Sequence, residues 1–481
     1  MDAQGDIRYR QIAGEIRNAL SRGVYQTGER LPSLRQLCRE HHVSLGTAVE
    51  AYGQLQDEGR VVARGRSGFY VAAPARNPLP PPRSPRRASR PTQVSISAMT
   101  LRVIDNMRRP GMVNLGAGTH FEGLQPVKTL SRSLSGAARR HEDELSVYSE
   151  VMGEMALRRQ VAQMMTLAGV TDSPEDILIT NGCQEAMNLS LQCVTAPGDT
   201  IAVETPAFFG MLQVAEALHL KVVEMPISYP RGVTPQTVRE TVRQHPVKAC
   251  VLTPSFNNPL GVVMPDEDKR DVVQFLSGQR IPLIEDDIVG FLSFTKPRPR
   301  AALASDLSGN TLLCSSFSKT LAPGLRLGWL HAGRFAETAR KRKFLANITT
   351  ASLPQLALAA YLKRKVFQRE MGRFTDRLQR LMLTMQRDIQ DFFPKGTRVS
   401  NPQGGLYLWL ELPDRLDSEV LYLRCLERGI SILPGLLFSP SGLYRSHIRL
   451  TFASVPSDIS RAAIRTLASL LPGLPTVRTG R

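Results

Sequence analysis

Apolar positions change their spacing along the 481 residues, and each change marks a different kind of element. Over residues 9–22 they recur at Ile12, Ile16 and Leu20, one face of a helix. Residues 33–40 open on a serine after Pro32. Residues 44–58 open on a second serine and run through Ala48, Ala51, Tyr52 and Leu55, so both stretches predict helices with a serine N-cap. VVARGRSGFYVAA then gives two short β-rich pieces around Gly65 and Gly68, which predicts a hairpin. Residues 74–91, PARNPLPPPRSPRRASRP, hold almost nothing to bury and read as extended chain. Beyond them, β-rich apolar runs at 177–180, 200–203, 250–253, 282–285, 311–315 and 326–331 are separated by helical stretches. That alternation predicts a parallel sheet with helical crossovers. The expected layout is a small helical unit with a hairpin at 1–73, a Pro/Arg-rich linker at 74–95, and a large α/β unit at 96–481.

Composition narrows the class. No apolar run approaches the ~20 residues that span a bilayer, and MDAQGDIRYR lacks the layout of a signal peptide. The six cysteines (Cys38, Cys183, Cys193, Cys250, Cys314, Cys425) show no CxxC spacing, which predicts a reducing cytoplasm with neither disulfide framework nor metal site. The net charge of +18 favours an anionic partner, nucleic acid first. Residues 1–91 hold 15 Arg against 8 acids, so +7 lies there and +11 elsewhere, and charge alone does not place the contact surface.

Two helices joined at His41-His42-Val43, followed by a hairpin wing, make a helix-turn-helix whose second helix is the right size for the major groove of double-stranded DNA. The segment GERLPSLRQL…VSLGTAVEAYGQLQDEGRVVARGRSGFYV closely resembles the GntR family of winged-helix regulators, over most of residues 9–71. The resemblance implies DNA contacts from Ser33 and Arg35, from Ser44 and Thr47 at the start of the recognition helix, and from Arg64, Arg66 and Gly68 in the wing. Arg35 suits either a guanine edge or a phosphate. Many GntR readers carry a basic residue where this chain has Leu45, followed by Gly46, and Glu50 stands where a cation is common. Shape and phosphate contacts are therefore expected to carry more of the affinity.

In the large unit Asn258, Asp286 and Lys319 each follow an apolar strand pattern, so a parallel sheet would gather them at the carboxyl ends of its strands. A lysine can form a Schiff base with an aldehyde cofactor, a carboxylate can keep a pyridine nitrogen protonated, and an amide can donate to a ring oxygen. The junction Asn181-Gly182-Cys183-Gln184 between a strand and a helix offers free N–H groups to a phosphate. NNPLG, IEDDIVGF, SSFSKTLAPGLRLGW and HIRLTFA together resemble the fold type I aminotransferases over roughly residues 100–470. That resemblance implies pyridoxal 5'-phosphate held by Lys319, with Asp286 at the pyridine nitrogen and Asn258 at O3′. It implies a phosphate site of Ser316, Ser318 and Arg326 with Gly182, Cys183 and Gln184. It also implies Phe208 stacked on the ring, Tyr148 reaching the partner subunit's phosphate, and Arg449 on an amino acid's α-carboxylate. Most relatives place a tyrosine two or three residues after the aspartate, where this chain has Ile288 and Val289.

The two halves on one chain resemble the MocR subgroup of GntR regulators, which implies a homodimer whose ligand state alters DNA binding. The expected function is a regulator sensing the cofactor, alone or with an amino compound. The alternatives are a working aminotransferase with an accessory DNA-binding domain, and a scaffold that uses neither site. Lys319, Asp286 and Arg449 speak against the scaffold, and the absent tyrosine speaks against fast turnover.

Overall fold

The computed structural model describes residues 3–22, 24–26, 28–57, 60–63, 68–71, 79–84, 90–118, 127–364 and 367–477, with the backbone alone at 3–7, 21 and 57. Arg64 and Arg66 lie outside the described residues, as do residues 74–78 and 85–89 of the expected linker. The chain divides into two compact units, Met1–Leu79 and Pro80–Arg481.

The first unit contains α1 (Ala3–Ser21), α2 (Leu34–His41), α3 (Leu45–Asp57) and the antiparallel pair β1 (Val61–Ala63) and β2 (Phe69–Val71). Both serines cap as expected. The Ser33 hydroxyl accepts from Gln36 N at 3.2 Å, and the Ser44 hydroxyl accepts from Thr47 N at 3.2 Å, each satisfying an N–H with no intrahelical acceptor. Helix α2 stops because His42 takes a left-handed φ of 50°. The apolar positions read from the spacing face the core: Ile12, Ile16, Ala48, Ala51, Tyr52 and Leu55 are buried with Leu37 and Val61, and Leu20 is partly buried against them. Tyr52 joins the parts, because its ring stacks on Phe69 at 4.2 Å and its hydroxyl donates to Pro32 O at 2.6 Å.

In the second unit an eight-stranded sheet runs in the spatial order Thr92–Gln93, Lys221–Pro226, Thr200–Thr205, Val247–Leu252, Leu283–Asp286, Thr311–Ser316, Gly328–His331, Ile177–Thr180. The sheet is mixed rather than parallel throughout. Strand Gly328–His331 is antiparallel to both its neighbours, and Thr92–Gln93 lies antiparallel to Lys221–Pro226. The reversal at Gly328 follows from a short return after Thr311–Ser316, which leaves no length for a helical crossover. Strand Lys221–Pro226 was not anticipated, since Lys221 and Glu224 interrupt its apolar run; Glu224 is buried and accepts from Thr205 Oγ1 at 2.8 Å.

Part of the segment read as linker packs with the second unit. Val399 N donates to Pro80 O, the N–H groups of Ile96 and Ser97 donate to Glu216, and Thr92–Gln93 forms a sheet edge, so residues 80–84 and 90–97 pack there. Helix Cys183–Val194 lays Ala186, Met187, Leu189 and Leu191 against Leu178, Leu312, Cys314 and Leu330 of the sheet. Each such leucine contributes roughly 1.5–3 kcal/mol by leaving water. A separate antiparallel sheet orders Arg398–Val399, Tyr407–Glu411, His447–Thr451 and Leu433–Pro434, with Trp409 opposite Arg449. Among the described residues no helix is long and apolar enough to cross a membrane.

Candidate functional site

Strand Ile177–Thr180 ends at a turn through Asn181 and Gly182, and helix Cys183–Val194 begins at once. Gly182 has φ +94°, and a Cβ there would stand 2.6 Å from Arg326 Nη2, so both conformation and space require glycine. Arg326 donates through Nη2 to Asn181 O at 2.9 Å and through Nη1 to Ser318 Oγ at 3.5 Å. Ser316 Oγ accepts from Ser318 N at 3.3 Å. The fold thus brings Gly182, Ser316, Ser318 and Arg326 together, placing one cation and two hydroxyls beside first-turn N–H groups, a donor set that suits a phosphate dianion. Two predicted members are placed differently in their side chains: the Cys183 thiol donates to Asp286 Oδ1 at 3.7 Å, and Gln184 Nε2 donates to Gly210 O at 2.7 Å. Only their backbone N–H groups remain for an anion.

Asp286 is the last residue of strand Leu283–Asp286, buried below that helix start. Burial pushes its carboxyl up to about 6, against the opposing N–H of Ile288, which donates to Oδ1 at 3.0 Å. The negative charge of Asp287 adds to the rise, and the Cys183 thiol and Lys319 draw it back. Asp287 itself is matched by Arg298 in a buried pair at 2.6 Å. A buried carboxylate held above its normal range favours a cationic neighbour.

Lys319 lies three residues past strand Thr311–Ser316, and its Nζ donates to Gly118 O at 2.6 Å. A Cβ on Gly118 would stand 2.8 Å from both Lys319 Nζ and Tyr407 Oη, so the amine and the phenol face one small space. Tyr407 was not anticipated. In GGLYLWLEL it reads as one more apolar strand position, and nothing in that pattern separates it from core.

Arg449 is 2 % exposed on strand His447–Thr451. Its Nη1 donates to Asn258 Oδ1 at 3.0 Å and its Nη2 to Gly116 O at 2.7 Å, while buried Nε has no partner. The rings of Tyr407, Phe438 and Phe209 stand 4.1, 5.4 and 5.9 Å from the guanidinium carbon. Burial pushes Arg449 down to about 10, with Tyr407 opposing. A guanidinium only donates, so Asn258 meets it with the amide oxygen and keeps its NH₂ for another acceptor. Phe208 is half-buried before helix Phe209–Ala217, its ring 4.7 Å from that of Phe209. Tyr148 is 80 % exposed. Ile288 and Val289 offer no hydroxyl at the positions following the acid pair.

In the first unit, Arg35 and Ser44 are exposed, and Thr47 Oγ1 lies 2.9 Å from Ser44 Oγ. Helix α3 presents Leu45 and Val49 outward, at 58 % and 47 % exposure. Apolar contacts of this kind suit a thymine methyl more than a phosphate. Arg30, which the motif reading passed over, has its guanidinium Nε 3.4 Å from where a Cβ on Gly68 would stand, placing a described cation beside the wing.

The comparisons with known proteins fit these two sites. Residues 8–71 match the family of bacterial regulatory proteins, gntR family, and residues 110–467 match aminotransferase class I and II. Two uncharacterized HTH-type transcriptional regulators of Escherichia coli, YjiR and YdcR, are each 33% identical to this chain. YjiR aligns over 96% of this chain and 98% of its own length, and YdcR over 96% and 99%. The chain belongs to the MocR-type GntR transcriptional regulators. Its second unit has the fold of LysN, an α-aminoadipate aminotransferase from Thermus thermophilus, with a TM-score of 0.71 at 24% identity over 79% of this chain and 99% of that one. Members of aminotransferase class I and II bind pyridoxal phosphate, and the LysN structure holds N-(5'-phosphopyridoxyl)-L-leucine. In this MocR-type chain the phosphate cradle, the raised Asp286 and the Lys319 amine together fit that group.

Proposed function

We propose that this chain is a cytoplasmic, homodimeric MocR-type regulator that binds duplex DNA through its winged helix and uses pyridoxal phosphate in its second unit to sense an amino compound. The observation that carries the reading is the Gly182–Ser318–Arg326 cradle beside Asp286 and Lys319, on a chain that also carries a winged helix. When bound, the cofactor supplies an aldehyde that condenses with amines and a pyridine ring that withdraws electrons. Arg326, Ser316, Ser318 and the N–H groups of Gly182, Cys183 and Gln184 hold the phosphate. Asp286 pairs with the protonated ring nitrogen, and Asn258 donates its free NH₂ to the ring oxygen while Arg449 holds its amide oxygen. Phe208 covers a ring face. Lys319 presents its amine to the aldehyde, and the open N–H of Arg449 anchors a carboxylate on the effector.

A dimer is supported by exposed Leu145, Val147 and Tyr148 together with exposed Phe344, Leu345 and Ile348. The two segments meet where Thr349 Oγ1 donates to Glu150 O at 2.8 Å, so this apolar surface is continuous with the chain around Tyr148. Tyr148 then reaches the partner subunit's phosphate.

The test combines absorbance of cofactor-loaded protein, keto-acid detection across the amino acids, and DNA affinity with and without each amino acid. The expected result is a spectral change that Lys319→Ala abolishes, accompanied by altered DNA affinity with little or no keto acid. Multiple turnovers at enzyme-like rates, indifferent to DNA, would overturn the sensor reading in favour of an aminotransferase.

A further inference from the structure

Helix Phe367–Phe392 is amphipathic over its full length: Phe367, Met371, Phe374, Leu378, Met382, Met385 and Ile389 are buried. Its opposite side carries five arginines, Arg369, Arg373, Arg377, Arg380 and Arg387, all exposed. At about 100° per residue they fall within an arc of about 80°, and at 1.5 Å per residue they span about 27 Å. They form one straight stripe. The helix also carries four acids, and each is matched to another group. Glu370 accepts from Tyr361 Oη, Asp376 pairs with Lys296 at 3.6 Å, and Arg461 takes Asp388 and also Asp391, the latter at 3.6 Å. Midway along the stripe lies a cleft of about 400 Å³ lined by Arg377, Arg380, Leu381, Thr384, Pro456 and Ser457. Helix Ser457–Ser469 starts there with no side-chain cap on its first turn, whose one carboxylate is Asp458. Around this cleft stand two guanidinium groups, each also engaged within the protein, two hydroxyls and N–H donors, a set that suits one phosphate, and cations on either side continue the line.

We propose that this arginine stripe is a second DNA-contacting surface, which binds backbone phosphates of a duplex. It rests on the reading of the chain as a DNA-binding regulator, and it gives a use to part of the +11 charge outside residues 1–91. A line of about 27 Å matches about eight base pairs of duplex at 3.4 Å each. A straight line of cations crosses the helical backbones along the duplex axis, and phosphates carry no sequence information, so the stripe adds affinity but not specificity.

The experiment uses the full chain, loaded with cofactor, on a long random-sequence duplex across a range of salt. R373Q/R380Q/R387Q is compared with R373K/R380K/R387K and with the unaltered chain. Loss of three phosphate contacts lowers the slope of log affinity against log salt by about 2.7, at about 0.9 per phosphate. Between 50 and 200 mM salt the unaltered chain would thus lose about 40-fold more affinity than the glutamine variant, and the lysine variant would keep the full slope. An unchanged slope in the glutamine variant overturns the proposal, and so does a changed oligomeric state, which would make the stripe a subunit contact. Displacement of nothing but inorganic phosphate, with the duplex slope intact, would reassign the cleft to a small anion. If the unaltered chain binds no duplex, the DNA-binding reading fails first; binding with an unaltered variant slope fails the stripe alone.

Discussion

Asp286→Asn should stabilise the cofactor-free protein above pH 6 and weaken the cofactor-loaded one. Burial raises this carboxyl from its ordinary 3.8 to about 6. Two pH units at about 1.4 kcal/mol each make ionised Asp286 cost the fold about 3 kcal/mol. For a carboxyl raised in the fold, the folded state binds the proton more tightly than the unfolded chain does. Its stability contribution is therefore intact below about pH 4 and lost as pH climbs to about 6. Asparagine keeps an oxygen for the Ile288 N–H and the Cys183 thiol, so the substitution removes charge with little change in shape. The variant without cofactor should exceed the parent by up to about 3 kcal/mol at pH 8 and by nothing near pH 4. With pyridoxal phosphate the order reverses, because only the carboxylate pairs with a protonated ring nitrogen. Thermal unfolding of both proteins at pH 4, 6 and 8, with and without cofactor, reads all four corners. A difference independent of pH, or equal stabilisation of both by cofactor, would refute the placement of Asp286 at the ring nitrogen.

Two further outcomes follow from close contacts. Gly182→Ala puts a Cβ within 2.6 Å of Arg326 Nη2 at a backbone φ of +94°, and should weaken cofactor binding at least about tenfold, or about 1.4 kcal/mol; unchanged affinity by absorbance titration would place the phosphate elsewhere. Tyr52→Phe removes the 2.6 Å bond to Pro32 O and should destabilise the first unit by about 1–3 kcal/mol. Hydrogen exchange in the full chain should then speed up in α3 and the wing while the second unit stays unchanged.

What was legible in the sequence was whatever local chemistry imposes. Ser33 and Ser44 announced helix starts because only a side-chain acceptor meets those N–H groups, and Gly182 announced a turn that a Cβ would block. Motif spacing carried the order Asn258, Asp286, Lys319, Arg326, and the fold does bring their surroundings together. Pairing across distance was not legible. Strand Gly328–His331 runs antiparallel for want of a crossover, and its own apolar run carries no mark of direction. Tyr407 and Phe209 were invisible for the same reason, since an aromatic in an apolar run looks like core until a partner such as Arg449 is placed beside it. Cys183 and Gln184 entered the phosphate site through the family resemblance, which implied help from backbone and side chain alike. In the fold the helix start turns both side chains to other partners and leaves only their amides.

On the proposed reading, this geometry would let the site act as a switch without turning over substrate. A ligand shifts an equilibrium only by its differential affinity for the two states. Here the site's own groups supply that difference. Asp286 is held in a buried position that disfavours its charge, and Arg449 buries an Nε with no acceptor, a group whose desolvation costs about 1–3 kcal/mol when unmatched. A cationic ring nitrogen on the cofactor answers the first and a carboxylate on the effector the second, so cofactor and effector together relieve strain that neither phosphate nor aldehyde alone would touch. A coupling of about 1–3 kcal/mol corresponds to about a 5- to 150-fold change at a second site. That range is enough to move DNA occupancy, and it demands no proton transfer at the aldehyde carbon. It does demand that Arg449 stay charged and buried: Arg449→Met should leave cofactor absorbance and bare DNA affinity intact while erasing the effect of amino acids on DNA binding. Persistence of that effect in the methionine variant would assign effector recognition to other residues.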